Sequence, residues 1–231
     1  MTKDTGVAIH SDALHGKRVL LAIAGGIAAV ESVRLARELR RHQADLTVIM
    51  SEEATKIITP LAVSWGSDTI VHQGWGSEMA QLEPFDVILI APATRNTISK
   101  HLHGIMDSPL LMALSAGRGR GSKLCFVPSM HSDLFDDPVT IELLEALSNE
   151  GSHVILNELD EGKLKQPNPI SIVADVCHIA NYSDASKIVA ITMGANRAPI
   201  DAVRAIQNAS SGRTGWMISE YLHRMGHNVI C

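Results

Sequence analysis

Gly16–Ala29 reads GKRVLLAIAGGIAA. The apolar run VLLAIA stops at Gly25-Gly26, and a helix-period pattern follows over 27–42. This is a buried strand, a glycine turn and a helix in immediate succession. Such a turn leaves backbone N–H groups open at the start of a helix, and glycine lets an anion come close to them. The spacing departs from GxGxxG, so the dinucleotide fingerprint is matched only weakly. The turn reads either as a phosphate cradle or as an ordinary βα connection whose glycines serve packing.

The same alternation continues along the chain. Strands are predicted at 18–24, 45–50, 86–91, 123–127 and 153–156. Helices are predicted at 27–42, from Glu52, near 95–102 and 106–115, at 138–149 behind Asp136-Asp137-Pro138, and at 169–180. Strands alternating with helices give an α/β fold with a doubly wound parallel sheet, Rossmann-like. Ligands of such sheets bind at the carboxyl ends of the strands, so the loops 24–28, 51–54, 91–97 and 128–135 are expected to line one crevice. Three parts follow: a flexible arm over 1–15, a main domain over 16–181, and a short βαβ extension over 187–231. The extension has a strand at 187–193, a long loop, a helix at 214–225 and a strand at 228–231. One such piece has too little core to stand alone. It must dock on the first domain, pair with another subunit or be the start of something truncated; docking against another subunit, giving an assembly larger than a trimer, is the expectation, and the piece lacks most of a nucleotide site.

Composition excludes several classes. Aromatic residues make up 3% of the chain, so the core must be aliphatic. The net charge of -5 gives no electrostatic ground for nucleic-acid binding. The longest apolar runs are too short to span a bilayer, and the polar start has no signal-peptide pattern, so a cytoplasmic protein is expected. The three cysteines, Cys125, Cys177 and Cys231, form no CxxC, and the eleven histidines show no HExxH or paired spacing. Neither a disulfide framework nor a metal site is expected.

The strand-end loops carry the polar chemistry. Loop 91–97, APATRNT, crowds Thr94, Asn96 and Thr97 together, although Thr94 also reads as a helix N-cap. In loop 128–135, PSMHSDLF, Met130 and His131 read either as walls for a planar ligand or as packing and surface. With GGIAAVES (25–32), SEEATKIITPLA (51–62), APATRNTISKHLHGIMDSPL (91–110) and VPSMHSDLFDDP (127–138), the chain resembles the FMN-binding family of flavin-dependent cysteine decarboxylases. The likeness extends to the decarboxylase half of phosphopantothenoylcysteine decarboxylase/synthetase. EGKLK (161–165) is similar to a stretch of its archaeal forms, and GANRAPIDAVRAIQNASSGRTG (194–215) to the opening of the synthetase half.

The resemblance implies FMN, a homotrimer with the flavin at a subunit interface, and a small-molecule substrate. It implies flavin contacts from Gly25, Gly26, Ile27, Ala28, Ser51, Pro92, Ala93, Thr94, Asn96, Thr97 and Met130. Pro128 and Phe135 match further parts of the motif around Met130, with His131 in place of its asparagine.

The chain also departs from the family. Counting back to the family's catalytic-histidine position before Asp86 lands on Glu78, and no histidine lies between His72 and His101. No cysteine occurs near 158–168 to match the family's substrate flap. A carboxylate does not replace an imidazole that must cycle near neutral pH without a large pKa shift. The resulting expectation is an FMN-dependent oxidoreductase of the dihydromethanopterin reductase type, with NAD(P)H or another donor as electron source. The alternatives are a phosphopantothenoylcysteine decarboxylase using His131 or His72, and a non-enzymatic flavin-binding regulatory subunit.

Overall fold

A computed structural model describes residues 6–157, 159–160 and 163–231. In chain order the elements of the first part are β1 (Arg18–Ile23), a 3-10 turn (Ile27–Glu31), α1 (Ser32–Arg41), β2 (Asp45–Met50), α2 (Glu52–Thr55), α3 (Pro60–Ser67), β3 (Val71–Gln73), β4 (Val87–Ala93), α4 (Arg95–Leu102), α5 (Pro109–Arg120), β5 (Lys123–Pro128), β6 (Met130–His131), α6 (Ser132–Phe135), α7 (Pro138–Asn149), β7 (His153–Val154), β8 (Leu159–Asp160), β9 (Lys163–Leu164) and α8 (Pro169–Asn181). Six of these strands form one parallel sheet in the order β3-β2-β1-β4-β5-β7. The order reverses direction between β1 and β4, the switch point where doubly wound sheets hold ligands. β1 and β4 are apolar almost throughout because they lie at the centre and are covered on both faces. Leu20 and Ala22 of β1 pack with Ile88 and Ile90 of β4, Phe126 of β5, Leu110 and Leu114 of α5, and Leu143 and Leu147 of α7. By strand alternation Val19, Leu21 and Ile23 face the other way.

Several expectations change. The helix predicted at 27–42 begins as the 3-10 turn and becomes α-helical only at Ser32. β4 runs on through Pro92 to Ala93, where the sequence reading ended it at Pro92. The second helix of the 95–115 region starts at Pro109 and ends at Gly121, whose φ of 79° is the left-handed conformation that stops a helix. Residues 6–15 are anchored, not a flexible arm. Leu14 is fully buried, its N–H bonds to the His42 carbonyl (2.9 Å), and the His10 N–H bonds to the Arg41 carbonyl (2.8 Å).

The chain divides into two compact units, Met1–Val176 and Cys177–Cys231. The second holds the end of α8, β10 (Ile188–Ala190), β11 (Arg197–Pro199), β12 (Ala205–Gln207), α9 (Arg213–Arg224) and β13 (Asn228–Ile230). β10 and β13 pair in parallel around α9, the expected βαβ piece. The predicted long loop contains an antiparallel hairpin, β11–β12. Ile188, Trp216, Met217, Tyr221 and Ile230 are exposed in this unit.

At the amino-terminal edge of the first unit's sheet, His101 at the end of α4 is buried. Its ring centroid lies 5.2 Å from that of Phe126, and its Nε2 is 2.8 Å from Glu150 Oε1. Glu150 also receives Arg118 Nη1 (2.8 Å) and the Ser152 hydroxyl (2.8 Å). Burial lowers the His101 pKa, outweighing the hydrogen bond and charge of Glu150 that raise it. For Glu150, burial is the largest single influence and pushes upward, but its bonds from His101, Ser152 and Arg118 together hold it below the usual carboxylate value. The neutral His101 ring therefore donates from Nε2, and a second proton on Nδ1 would find no acceptor there. Because the unfolded state binds that proton more readily, this histidine's contribution to stability is full above pH ~6.5 and is lost as pH falls toward the lowered folded value. Between pH 7 and 5.5 the Tm of the native chain should fall more steeply than that of His101→Gln. Parallel pH profiles from thermal unfolding would contradict this.

Candidate functional site

The site is built at the carboxyl ends of β1 and β4. Gly25 lies two residues past the end of β1, and a Cβ there would lie 2.2 Å from Glu53 Cβ and 3.0 Å from the Glu53 carbonyl carbon, so only glycine lets α2 come this close. Gly26 is extended (φ -106°, ψ 154°), and a Cβ there would meet Pro92 Cγ at 3.4 Å and Thr94 Cγ2 at 3.5 Å, ordinary contact distances. The two glycines thus bring three of the four predicted loops together: 24–28, the Ser51 turn and 91–97. The first bond of the 3-10 turn runs from the Ala29 N–H to the Gly26 carbonyl (2.8 Å), which leaves the N–H groups of Ile27 and Ala28 ahead of it.

Helix caps explain the polar residues. Ser51 Oγ accepts the Ala54 N–H (3.2 Å) and caps α2; Thr94 Oγ1 accepts the Thr97 N–H (3.3 Å) and caps α4. A hydroxyl that accepts one N–H keeps its own proton to donate, so capping and ligand binding are compatible for Ser51. The Thr94 and Thr97 hydroxyls are 2.9 Å apart, and Thr97 is buried, so Thr97 serves the cap. Pro92 and Ala93 are buried within β4, and Asn96 is exposed. Arg95 reaches across to Asp137, the cap of α7 (2.7 Å). The Val139 N–H first, and then Arg95, hold the Asp137 carboxyl below its usual value.

The fourth loop reaches the same region through a cavity of about 620 Å³, lined by Ile27, Ala28, Glu31 and Arg34 on one side, Ser129, Met130 and His131 on another, and residues 165–169 on a third. The last wall was not read from the sequence. β6 pairs with β9 (Met130 opposite Leu164, His131 opposite Lys163), and β9 pairs with β8, so this small sheet leads into the 165–169 wall. Glu161 and Gly162 of the EGKLK motif lie outside the described residues. Gln166 is the informative member of this wall. Both its amide atoms are buried, and neither has a hydrogen-bond partner among the described residues. A buried amide in that state is costly unless something in the cavity pairs with it. His131 Nδ1 accepts the Asp133 N–H (3.3 Å) and lies 3.2 Å from Asp133 Oδ2.

Glu78 is largely exposed, and its Oε2 is 3.8 Å from Nδ1 of His72 on β3. An imidazole therefore stands beside the carboxylate. The cysteines are placed elsewhere: burial pushes the Cys125 thiol up to about 12, Cys177 is buried, and none lines the cavity.

With this geometry in place, comparison with known proteins decides the family. The Flavoprotein model matches residues 7–197. The chain belongs to the Flavoprotein family. A second model, the DNA/pantothenate metabolism flavoprotein C-terminal domain, matches residues 185–231. The coenzyme A biosynthesis bifunctional protein CoaBC of Thermococcus kodakarensis is 39% identical over 230 residues, covering 96% of this chain and 57% of the relative. CoaBC of Methanocaldococcus jannaschii is 32% identical over 225 residues, covering 95% and 55%. The chain thus spans a little over half the length of the curated relatives it matches. Among solved structures, a PPC decarboxylase variant complexed with pantothenoylaminoethenethiol aligns with TM-score 0.58 at 22% identity, over 68% of this chain and 93% of that one. The FMN-dependent cysteine decarboxylase SpaF aligns with TM-score 0.58 at 22% identity, over 69% and 98%. Both share the fold.

These relatives overturn the reductase expectation. That reading rested on Glu78 as the loss of a catalytic histidine, yet the CoaBC proteins match 94–96% of this chain at 30–39% identity. The inference from one substituted position does not hold against that match.

The two glycines separate by substitution. Gly25→Ala forces α2 and its Ser51 cap to move and should cost about 1–3 kcal/mol of stability, as overpacking does. Gly26→Ala should stay within ~0.5 kcal/mol of the native chain. Urea unfolding of both variants measures this, and equal stabilities would disprove the close-approach role of Gly25.

Proposed function

We propose that the first unit binds FMN at the carboxyl ends of β1 and β4 and acts as a phosphopantothenoylcysteine decarboxylase in coenzyme A biosynthesis, the reading that the CoaBC relatives favour. The observation that carries it within this chain is the cavity between the glycine turn and Met130-His131, with the unpaired Gln166 amide in its wall. The residues present fit a flavin mononucleotide. The open N–H groups of Ile27 and Ala28, with the Ser51 hydroxyl, suit a phosphate. Ile27 and Met130 offer apolar walls and Gln166 an edge partner for a planar ring. When bound, the flavin supplies a two-electron acceptor beside the substrate.

The chain's own groups then do three things. Arg34 and Lys165 bring positive charge to the cavity for an anionic substrate, Arg34 while paired with Glu31 (3.0 Å). The β6–β9 pairing ties Met130 and His131 to the strand that leads into the 165–169 wall and so fixes two sides of the cavity against each other. His131 holds the proton. With Nδ1 accepting the Asp133 N–H, the neutral ring carries its hydrogen on Nε2. A second proton turns Nδ1 into a donor toward the Asp133 carboxylate. The His72–Glu78 pair is the second imidazole near the strand ends. Ile27 and Val30 are 77% and 50% exposed beside the turn, which supports a homotrimer with the flavin site completed by a neighbour. α5 is an internal helix of the first unit, because its Leu110, Leu111, Ala113 and Leu114 are all buried in the core.

The purified chain should carry a flavin absorption band and release carbon dioxide from phosphopantothenoylcysteine. A chain that takes up no FMN refutes the site; one that holds FMN but leaves the substrate intact refutes the reaction. His131→Ala should lower kcat at least ~100-fold, as loss of a proton-transfer group does, with flavin content unchanged. If only His72→Asn has that effect, the proton belongs to His72. Sedimentation of a fully flavin-loaded monomer would refute the trimer.

A further inference from the structure

A second constellation lies at the opposite end of α1, about 15 Å along the helix from its start. Glu38 and His42 are four residues apart and share one face of the helix, and both are buried. The N-terminal segment passes over them and brings His10, which is exposed, to the same point. One ligand atom from each of the three side chains lies within 4.8 Å of the other two. We propose that His10, Glu38 and His42 form a site for a zinc-type divalent cation that pins the N-terminal segment to the end of α1.

The chemistry of the donor set is that of zinc: two imidazole nitrogens and one carboxylate oxygen, with a fourth position for water. His42 Nε2 is 3.4 Å from Glu38 Oε1. Two bonds of ~2.0–2.1 Å meeting at a tetrahedral angle separate their donor atoms by about the same distance. The other end of each ligand is already held. His42 Nδ1 is 2.6 Å from the Ser11 hydroxyl, which also accepts the Ala13 N–H (3.3 Å). A ring that donates from Nδ1 to Ser11 presents the Nε2 lone pair to Glu38, the orientation that a second partner imposes on a metal-binding histidine. Arg41 Nη1 holds the other carboxylate oxygen, Oε2, at 2.6 Å and leaves Oε1 toward His42. His10 completes the set from a segment whose backbone is already bonded at His10 and Leu14, so closing on a cation needs only a side-chain adjustment.

A His42–Glu38 pair without a cation leaves His10 only an edge-on ring contact with His42 (centroids 6.2 Å apart), and this separates the readings. The full chain, stripped with a chelator, is titrated with zinc against a chromophoric competitor. One equivalent should bind, raise the Tm by several degrees, and give an X-ray absorption spectrum with nitrogen and oxygen ligands only. His10→Ala removes an exposed side chain and should fold normally, yet weaken zinc binding at least tenfold and abolish the Tm rise; Glu38→Gln should do the same if it folds. Equal binding by native and His10→Ala chains, sulfur in the zinc shell, or a Tm indifferent to zinc would each overturn the site.

Discussion

The approach of the β1–α1 turn to its two neighbours is the constraint on which the rest of the first unit depends. Gly25 lies against the backbone of α2, and Gly26 lies over Pro92 and Thr94. The Gly26 contact lies where the strand order reverses, between β1 and β4, the place where the helices on either side diverge and leave a crevice, and the Gly25 contact lies beside it, on the β2 side. A side chain at the first position would push α2 outward and take the Ser51 cap with it. The crevice therefore owes its shape to an absent methyl group as much as to any residue present. The central strands can be uniformly apolar because their polar neighbours, Ser51 and Thr94, sit at helix starts and are paired there.

How much of this was legible follows from the range of each interaction. The strands RVLLAI and VILIAPA, the Thr94 cap and the Asp136-Asp137-Pro138 helix start are local signals, a period or a cap within a few residues, and they placed the sheet and most helices. α3 left no such signal. Its sequence PLAVSWGS has no clear apolar stripe, because Gly66 packs directly on Val33, where a Cβ would lie 2.7 Å from the Val33 carbonyl oxygen. A contact made by backbone has no hydrophobic period to read. β3 and the β6–β9–β8 sheet are two or three residues per strand, shorter than alternation can reveal. The wall bearing Gln166 depends on them and was invisible for that reason.

The function was misread for a related cause. Glu78 was weighed as a position in the family's motif, and His72, six residues earlier, only as an alternative, whereas in space His72 Nδ1 is 3.8 Å from the Glu78 carboxylate. A motif position records one family's arrangement; the proton chemistry asks only that a titratable ring be within reach. His72 lies on β3, and Glu78 in the connection that leads from β3 to β4. A substitution there can be answered from either side.

The same reasoning applies at the other end of α1. Glu38 and His42 alone form an ordinary i,i+4 pair, and His10 alone is a surface residue of a polar segment. They meet because Leu14 is buried under α1 and draws the preceding residues across the helix end. An apolar anchor thus decides the position of a polar side chain four residues away. Burial of Leu14 supplies the free energy that orders the segment, since a fully buried leucine contributes roughly 1.5–3 kcal/mol. A segment already ordered by that burial has little entropy left to lose when its side chains close on a ligand, so the convergence of three ligand types there depends on the hydrophobic contact that precedes it.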